Sequence, residues 1–248
     1  MSSYGSLCTE FYDLDKPNAS PDALDFYTLR ARAAGGRVLE PMCGSGRFLV
    51  PMLRAGLVVD GTDSSHPMIA ACERRLTFAG VCAELFEQPL EALSLPYSYS
   101  LAFIPSASIG LLTTDEALLA ALTRLREHLL PGATLLLEFT EPDNEPSTPD
   151  QTELAPRTVH CLDGAVITYT CGAHRLESSG STLFRGKYMK SMNDRVIGTE
   201  DEDLTVRSFS PARLSTLLQD SGFANSTFYT SKELPFLRED GCVLVEAS

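Results

Sequence analysis

The stretch VLEPMCGSGRFLV (38–50) decides the fold of this chain. Its apolar beginning predicts a short buried strand, its glycines predict a tight loop, and its apolar end predicts the start of a helix. A strand, a glycine loop and a helix in this order are typical of sites that hold nucleotides in α/β proteins. The stretch therefore predicts a site for a nucleotide-like molecule.

The residues around the glycines argue against a dinucleotide. Gly44 and Gly46 are followed by Leu49 where a dinucleotide-binding loop carries its third glycine. Glu40 precedes the loop, and its carboxylate would repel a pyrophosphate but would attract an ammonium group. Asp63 ends the next apolar segment, where a carboxylate can accept hydrogen bonds from both ribose hydroxyls. Together these residues indicate a nucleoside without a phosphate chain.

From residue 37 to 140 the sequence alternates between strand-like and helix-like segments. The helix-like segments at 64–80 and 113–132 carry apolar residues on one face, and Thr113 is the expected N-cap of the second. The helix after the glycine loop is expected to be kinked at Pro51. This alternation predicts an α/β fold with a doubly wound, mostly parallel sheet flanked by helices.

The pattern changes after residue 140. The segment EPDNEPSTPD (141–150) is rich in proline and acid and predicts a loop. Short strand-like segments follow it and predict a small antiparallel insertion after the fifth strand. A helix capped by Ser210 and two last strands complete a seven-stranded sheet, whose last strand is antiparallel. We expect four parts: lid helices (1–36), a nucleoside-binding core (37–140), an insertion that covers the substrate (141–206) and a carboxyl-terminal completion of the sheet (207–248).

Composition excludes several functions. The formal net charge of −13 disfavours nucleic acid as a partner, because proteins bind its phosphates with lysine and arginine. No apolar run is long enough for a membrane span, and the first residues lack the features of a secretory signal. The seven cysteines show no CxxC spacing, which predicts free thiols rather than a metal site or a disulfide framework. We therefore expect a cytoplasmic protein without a metal.

Several segments resemble the class I S-adenosylmethionine-dependent methyltransferases, and the resemblance spans nearly the whole chain. The matching segments are the first motif VLEPMCGSG (38–46), the second-strand acid in VVDGTDSS (58–65), the Pro-Gly and fifth-strand segment LLPGATLLLEF (129–139) and the late helix FSPARLSTLLQDSGF (209–223). The insertion and EFYDLDKP (10–17) are similar to enzymes that methylate small molecules, such as sugar-amine N-methyltransferases. The resemblance implies a Rossmann-like core that binds S-adenosylmethionine. We expect a monomer or a homodimer.

The resemblance also implies roles for individual residues. Glu40 would approach the methionine ammonium, Gly44 and Gly46 would let the backbone come close to the cofactor, and Asp63 would bind the ribose. Further expected cofactor contacts are Tyr12 on the lid, Met42 in the loop, Ser64 and Met68 beside the adenine, Gln88, Pro89 and Leu90 near its ring, and Ile104 and Pro105 near the methionine arm. Met42 departs from the family, which usually has glycine there. The family's acid after the third strand is also missing, and Gln88 is the candidate to replace its contact with the adenine amino group.

The acceptor is expected beside the segment IPSASIGLL (104–112), which lacks the motif of DNA amino-methyltransferases. Glu138 has apolar neighbours, so its carboxylate needs a partner or a raised pKa; Glu138 and Tyr12 are the candidate catalytic residues. The candidate substrate contacts are Ser106, Ser108, Tyr169, Arg185, Tyr188 and Arg207.

We expect methyl transfer to nitrogen or oxygen of a small molecule. Three alternatives stay open: a protein or peptide methyltransferase, a non-methylating S-adenosylmethionine enzyme such as a cyclase, and a cofactor-binding protein without transfer activity.

Overall fold

The structure, a computed structural model, describes residues 4–142, 151–176, 180–237 and 241–248. Most of the loop predicted at 141–150 lies outside these residues. No helix in the described ranges is both long and apolar enough to cross a membrane. The helices are α1 (Ser6–Asp15), α2 (Pro21–Ala34), α3 (Leu49–Arg54), α4 (His66–Ala79), α5 (Asp115–His128) and α6 (Pro211–Asp220). The strands are β1 (Val38–Pro41), β2 (Val59–Asp63), β3 (Leu85–Glu87), β4 (Tyr99–Ile104), β5 (Leu129–Thr140), β6 (Gln151–His160), β7 (Val166–Leu176), β8 (Ser181–Met192), β9 (Arg195–Arg207), β10 (Ser226–Thr230) and β11 (Cys242–Ala247).

Seven strands form the larger sheet, in the order β10-β11-β5-β4-β1-β2-β3. Strands β1 to β5 are parallel, and β11 runs antiparallel to both β5 and β10. Because β1 lies between β2 and β4, the chain moves outward from β1 in two opposite directions. A cleft at the carboxyl ends of the strands is expected at such a reversal. The predicted doubly wound, mostly parallel sheet is confirmed, and so is its antiparallel last strand.

Apolar side chains cover both faces of this sheet. Since successive residues of a strand point to opposite faces, a central strand buried on both sides is apolar throughout. In β5, Leu135 and Leu137 join one apolar cluster and Leu136 joins the other. The first cluster includes the inward residues of α5 and α6, and the second includes those of α2, α3 and α4. These two layers hold the carboxyl edge of the sheet in place.

The insertion forms a separate antiparallel sheet in the order β6-β7-β8-β9. Helix α1 packs on one face of it, where Phe11 lies 5.6 Å from the ring of Tyr169 and 5.5 Å from that of Tyr188. The two tyrosine rings stack 4.5 Å apart. The predicted antiparallel insertion after the fifth strand is thus confirmed. Its contact with α1 joins the insertion to the amino-terminal helices.

Helix boundaries differ from the prediction at two places. Helix α5 is capped by Thr114, which accepts a hydrogen bond from the Ala117 amide at 3.2 Å, rather than by Thr113. The helix also ends at His128, because Pro131 offers no amide and disfavours helical backbone before it. Helix α3 begins only at Leu49, so Pro51 lies in its first turn, where a missing amide costs no helical hydrogen bond and causes no kink.

The capping assignment predicts a specific loss of stability. Thr114→Ala is expected to lower the free energy of unfolding by about 0.5–2 kcal/mol, because the Ala117 amide loses its acceptor. Thr113→Ala is the matched control and is expected to leave it nearly unchanged, since Thr113 contributes only its backbone oxygen to a bond with Arg207. Urea denaturation measures both, and equal losses would contradict the assignment.

Candidate active site

The glycine loop connects β1 to α3 in a left-handed backbone conformation. Met42, Gly44 and Gly46 have φ angles of 55°, 54° and 81°. A Cβ atom on Gly46 would lie 2.7 Å from the Sγ atom of Cys72 on α4, so only glycine fits there. The loop therefore packs closely on α4 at Gly46.

The carboxylate of Asp63 holds this loop against the end of β2. Its Oδ2 accepts a hydrogen bond from the Gly44 amide at 2.8 Å, and its Oδ1 accepts one from the Ser65 amide at 2.9 Å. Burial raises the pKa of Asp63, although these amides act to lower it. A carboxylate has about four lone-pair sites, so acceptor capacity remains for a ligand.

Glu40 is a buried carboxylate with an open oxygen. Only 2% of the residue is exposed, and in the described part of the chain no donor reaches its Oε2. Burial raises its pKa well above the usual range, and the nearby thiol of Cys72 adds to this rise. The Arg47 guanidinium and a hydrogen bond from the Leu49 amide act in the opposite direction. Such a group is suited to a cationic ligand, which would supply the missing partner.

A cavity of about 260 Å³ opens at the carboxyl ends of β1 and β2. Ten of the residues named by the sequence analysis line it: Tyr12, Met42, Gly44, Asp63, Ser64, Met68, Gln88, Pro89, Leu90 and Ser108. The lining also includes Leu111 and Leu112, which belong to the segment 104–112 where the acceptor is expected, and three residues that were not predicted: Tyr4, Thr62 and Glu91. Of these, Thr62 and Glu91 adjoin residues already named, so their neighbourhood was a usable signal.

Two tyrosines cover the cavity from the amino-terminal side. Tyr4 and Tyr12 meet edge to face, with their ring centroids 6.3 Å apart. The Arg47 guanidinium lies 5.1 Å from the centre of the Tyr12 ring and donates a hydrogen bond to the Ser106 hydroxyl at 3.2 Å. Burial raises the pKa of Tyr12, which therefore keeps its proton at neutral pH. The lid is thereby joined to the loop that follows β4.

Glu138 holds the loop after β4 and does not line the cavity. Its Oε1 accepts a hydrogen bond from the Tyr27 hydroxyl at 2.5 Å, and its Oε2 accepts one from the Ser106 amide at 2.7 Å. Ser106 and Ala107 both have positive φ angles, 59° and 53°, which are strained for residues other than glycine. Both carboxylate oxygens of Glu138 therefore accept hydrogen bonds that hold the loop, and the catalytic role predicted for Glu138 stays a prediction.

Four predicted substrate residues lie away from the described lining of the cavity. Tyr169 and Tyr188 pack under α1, and the Tyr188 hydroxyl donates to Glu202 at 3.3 Å. Arg185 is exposed beside Asp203, at 3.7 Å. Arg207 pairs with Asp115 on α5. The described contacts of these side chains lie within the insertion and at its junction with the core, and their role as substrate contacts stays a prediction.

Four predicted cofactor residues support the cavity from behind. Ile104 and Pro105 are buried at the end of β4, and Gly46 packs on α4. Glu40 is buried in β1. None of them is in the described lining: Glu40 and Ile104 lie near the carboxyl ends of β1 and β4, and Gly46 and Pro105 lie in the loops that follow these strands. Among the described residues, no cluster of three His, Cys, Asp or Glu side chains has a geometry that could hold a metal ion.

The surroundings of Glu40 and Glu138 predict opposite effects of a Glu→Gln substitution on the free energy of unfolding. In the folded protein the raised pKa of Glu40 lets it keep a proton that the unfolded chain loses near pH 4.5. Protonated Glu40 therefore stabilises the folded state fully below that pH. This stabilisation is lost as the pH rises through the folded-state pKa of Glu40. Glu40→Gln is expected to flatten this fall and to stabilise the ligand-free protein at pH 8 by about 1–2 kcal/mol.

Glu138→Gln is the matched control for this prediction. An amide cannot accept from both Tyr27 and Ser106 as the carboxylate does, so a loss of about 1–3 kcal/mol is expected. Denaturant titrations at pH 5.5 and pH 8 measure both variants. Parallel pH curves for Glu40→Gln and the unaltered protein would contradict the role given to Glu40.

Comparison with known proteins identifies the core. Residues 38–132 match the family model described as a methyltransferase domain. A cypemycin N-terminal methyltransferase from Streptomyces sp. is 28% identical over 143 residues, which are 57% of this chain and 58% of that protein, so the match spans little more than half of that relative. A dTDP-3-amino-3,6-dideoxy-alpha-D-glucopyranose N,N-dimethyltransferase from Streptomyces fradiae is 26% identical over 93% of this chain and 92% of that protein.

The fold also matches solved structures. The sugar N-methyltransferase KedS8 from Streptoalloteichus sp. superposes with a TM-score of 0.74 over 99% of this chain and 96% of that chain, at 19% identity. That likeness concerns the fold, and the matched domain contains both the glycine loop and Asp63. Residues 38–132 therefore form a methyltransferase domain whose cofactor is S-adenosylmethionine.

Proposed function

We propose that this protein transfers a methyl group from S-adenosylmethionine to the nitrogen of a small-molecule amine, with an amino sugar as the preferred acceptor class. The observation that carries the proposal is the small covered cavity at the glycine loop, which runs from Asp63 to Ser108 beneath Tyr4 and Tyr12. A cavity of this size holds small molecules, whereas a folded protein surface would not reach its interior. The amino-sugar relatives support the acceptor class.

The residues present fit the proposed cofactor. The open Oε2 of Glu40 offers an acceptor to the ammonium group, and the absence of a side chain at Gly46 keeps the loop close to α4. Asp63 has lone pairs left for the ribose hydroxyls after binding two amides. Met68 and Gln88 border the adenine end. When bound, S-adenosylmethionine supplies an electrophilic methyl group on a sulfonium.

The main task of the chain is then alignment and the exclusion of water. Tyr4 and Tyr12 cover the cavity, and Leu111 and Leu112 give its acceptor end an apolar wall. Glu138 fixes the Ser106 amide and thus the course of the loop that leads to Ser108. The Ser108 hydroxyl donates to the Pro105 carbonyl at 3.0 Å, and its lone pairs can accept a hydrogen bond from the acceptor.

The lining favours nitrogen over oxygen as the acceptor atom. No histidine, lysine or cysteine is among the described residues that line the cavity. A hydroxyl acceptor gains much from a general base, whereas an amine needs only to be neutral. Of the two lining carboxylates, Asp63 is bound to two amides and Glu91 is exposed. The described lining therefore fits an amine acceptor better than a hydroxyl, because an amine needs no general base from these side chains.

A peptide amine is the second candidate acceptor. It is favoured by the partial match to a cypemycin N-terminal methyltransferase, whose name refers to an amino terminus. The covered cavity weighs against it, because a peptide chain would have to leave the site past Tyr4 or Tyr12.

A methyl-transfer assay distinguishes these acceptors. S-adenosylmethionine with a radiolabelled methyl group is offered with amino-sugar nucleotides, the same compounds with hydroxyl in place of amine, and peptides with free or acetylated amino termini. We expect label on the amino sugars and none on their hydroxyl counterparts. Label only on the hydroxyl compounds would overturn the choice of nitrogen, and label only on the free peptides would favour the second candidate.

The cofactor role of Asp63 is tested by binding. Asp63→Ala is expected to weaken S-adenosylhomocysteine binding by about 1–3 kcal/mol, because the ribose hydroxyls lose an acceptor. Glu87→Ala is the matched control: Glu87 pairs with Asp63 in register at the end of β3, but it is exposed and bonded to His66. Calorimetry that finds equal affinities for the unaltered protein and Asp63→Ala would rule out the ribose role.

A further inference from the structure

The first turn of the lid helix α1 takes its acceptors from the insertion. The N-cap residue is Gly5, which has no side chain to bind the free amides of the first turn. The carboxylate of Glu200 on β9 takes their place: its Oε2 accepts from the Leu7 amide at 3.0 Å and its Oε1 from the Cys8 amide at 2.9 Å. The favourable charge at a helix amino terminus strengthens both bonds.

A second carboxylate on the same strand holds the residue before the helix. The Oε1 of Glu202 accepts from the Tyr4 amide at 2.6 Å. Its Oε2 accepts from the Cys8 thiol and from the Tyr188 hydroxyl, each at 3.3 Å. The Tyr4 carbonyl in turn accepts from the Ser65 hydroxyl at 2.8 Å. Tyr4 is therefore fixed on one side to the insertion and on the other to the cap of α4, next to Asp63.

We propose that Glu200 and Glu202 are positioning residues that hold Tyr4 and α1 closed over the cofactor, so that the insertion controls cofactor release. This inference rests on the proposed function, which identifies the bound molecule as S-adenosylmethionine. It gives a function to the acidic segment EDED (200–203) of β9, for which the sequence alone predicted none. The two carboxylates share one face of the strand, because alternate residues point the same way.

The same strand supplies a matched control. Asp201 and Asp203 point to the opposite, solvent-exposed face, opposite Lys187 and Arg185 in the register with β8. Replacing either pair by neutral residues removes the same charge from the same strand. A difference between the two pairs therefore reports the hydrogen bonds to the lid and not the overall field.

The experiment measures S-adenosylhomocysteine dissociation by surface plasmon resonance and hydrogen exchange of the Leu7 and Cys8 amides. The double variant Glu200→Ala/Glu202→Ala is expected to release the ligand about tenfold faster and to lose protection at both amides. The corresponding double Gln variant is expected to recover part of both, since an amide oxygen still accepts. The double Asn variant at Asp201 and Asp203 is expected to behave as the unaltered protein.

A variant on the lid side tests the same contact without changing a charge. A Cβ atom on Gly5 would lie 2.5 Å from the Glu200 carboxyl carbon, while the φ of −70° accepts alanine. Gly5→Ala is therefore expected to displace the Glu200 carboxylate and to speed release several-fold. It is expected to add nothing when Glu200 is already alanine.

Several results would overturn the inference. These are unchanged release from the double Ala variant, equal acceleration by the Asn control, or an effect of Gly5→Ala that is the same with and without Glu200. If the unaltered protein does not bind S-adenosylhomocysteine, the proposed function fails and control of release fails with it. Hydrogen exchange in the ligand-free protein still decides separately whether the two carboxylates hold the lid.

Discussion

The two hydrogen bonds that Asp63 accepts from Gly44 and Ser65 fix the geometry of the whole site. They join the loop after β1 to the loop after β2, at the point where the order of strands reverses. The glycine backbone and the amino terminus of α4 are thereby held at fixed positions beside the cavity. The Ser65 hydroxyl extends this connection to Tyr4, so the lid is positioned by the same loop.

Three carboxylates at this edge of the sheet differ in their hydrogen-bond partners, and these partners decide what each carboxylate does. Asp63 is bonded to amides and retains free lone pairs. Glu138 is bonded to Tyr27 and Ser106 and fixes the loop at the acceptor end. Glu40 has an open oxygen and a raised pKa, which makes it the carboxylate most in need of a cation. Stability and binding thus oppose each other at Glu40, as they often do at functional sites.

Features set by local sequence were predictable, and features set by distant partners were not. The sheet, the glycine loop and the acid of β2 follow from short segments whose periodicity and glycines restrict the backbone. The task of Glu138 depends on Tyr27, which precedes it by 111 residues. The Glu200 contacts with the lid span 193 and 192 residues. Because a strand pattern gives the face of a side chain but not what packs on it, the contact of Glu200 with the lid helix was not predictable from the sequence.

Met42 combines a backbone conformation set by its local turn with side-chain contacts set by distant residues. Its φ of 55° is a conformation that glycine adopts easily and that other residues adopt rarely. For a residue with a Cβ atom that conformation costs about 1–2 kcal/mol. The Met42 side chain lines the cavity and packs against the apolar cluster beside α5, and these contacts offset part of the cost. The substitution thus replaces conformational freedom in the loop with an apolar wall, which narrows the site where cofactor and acceptor are proposed to meet.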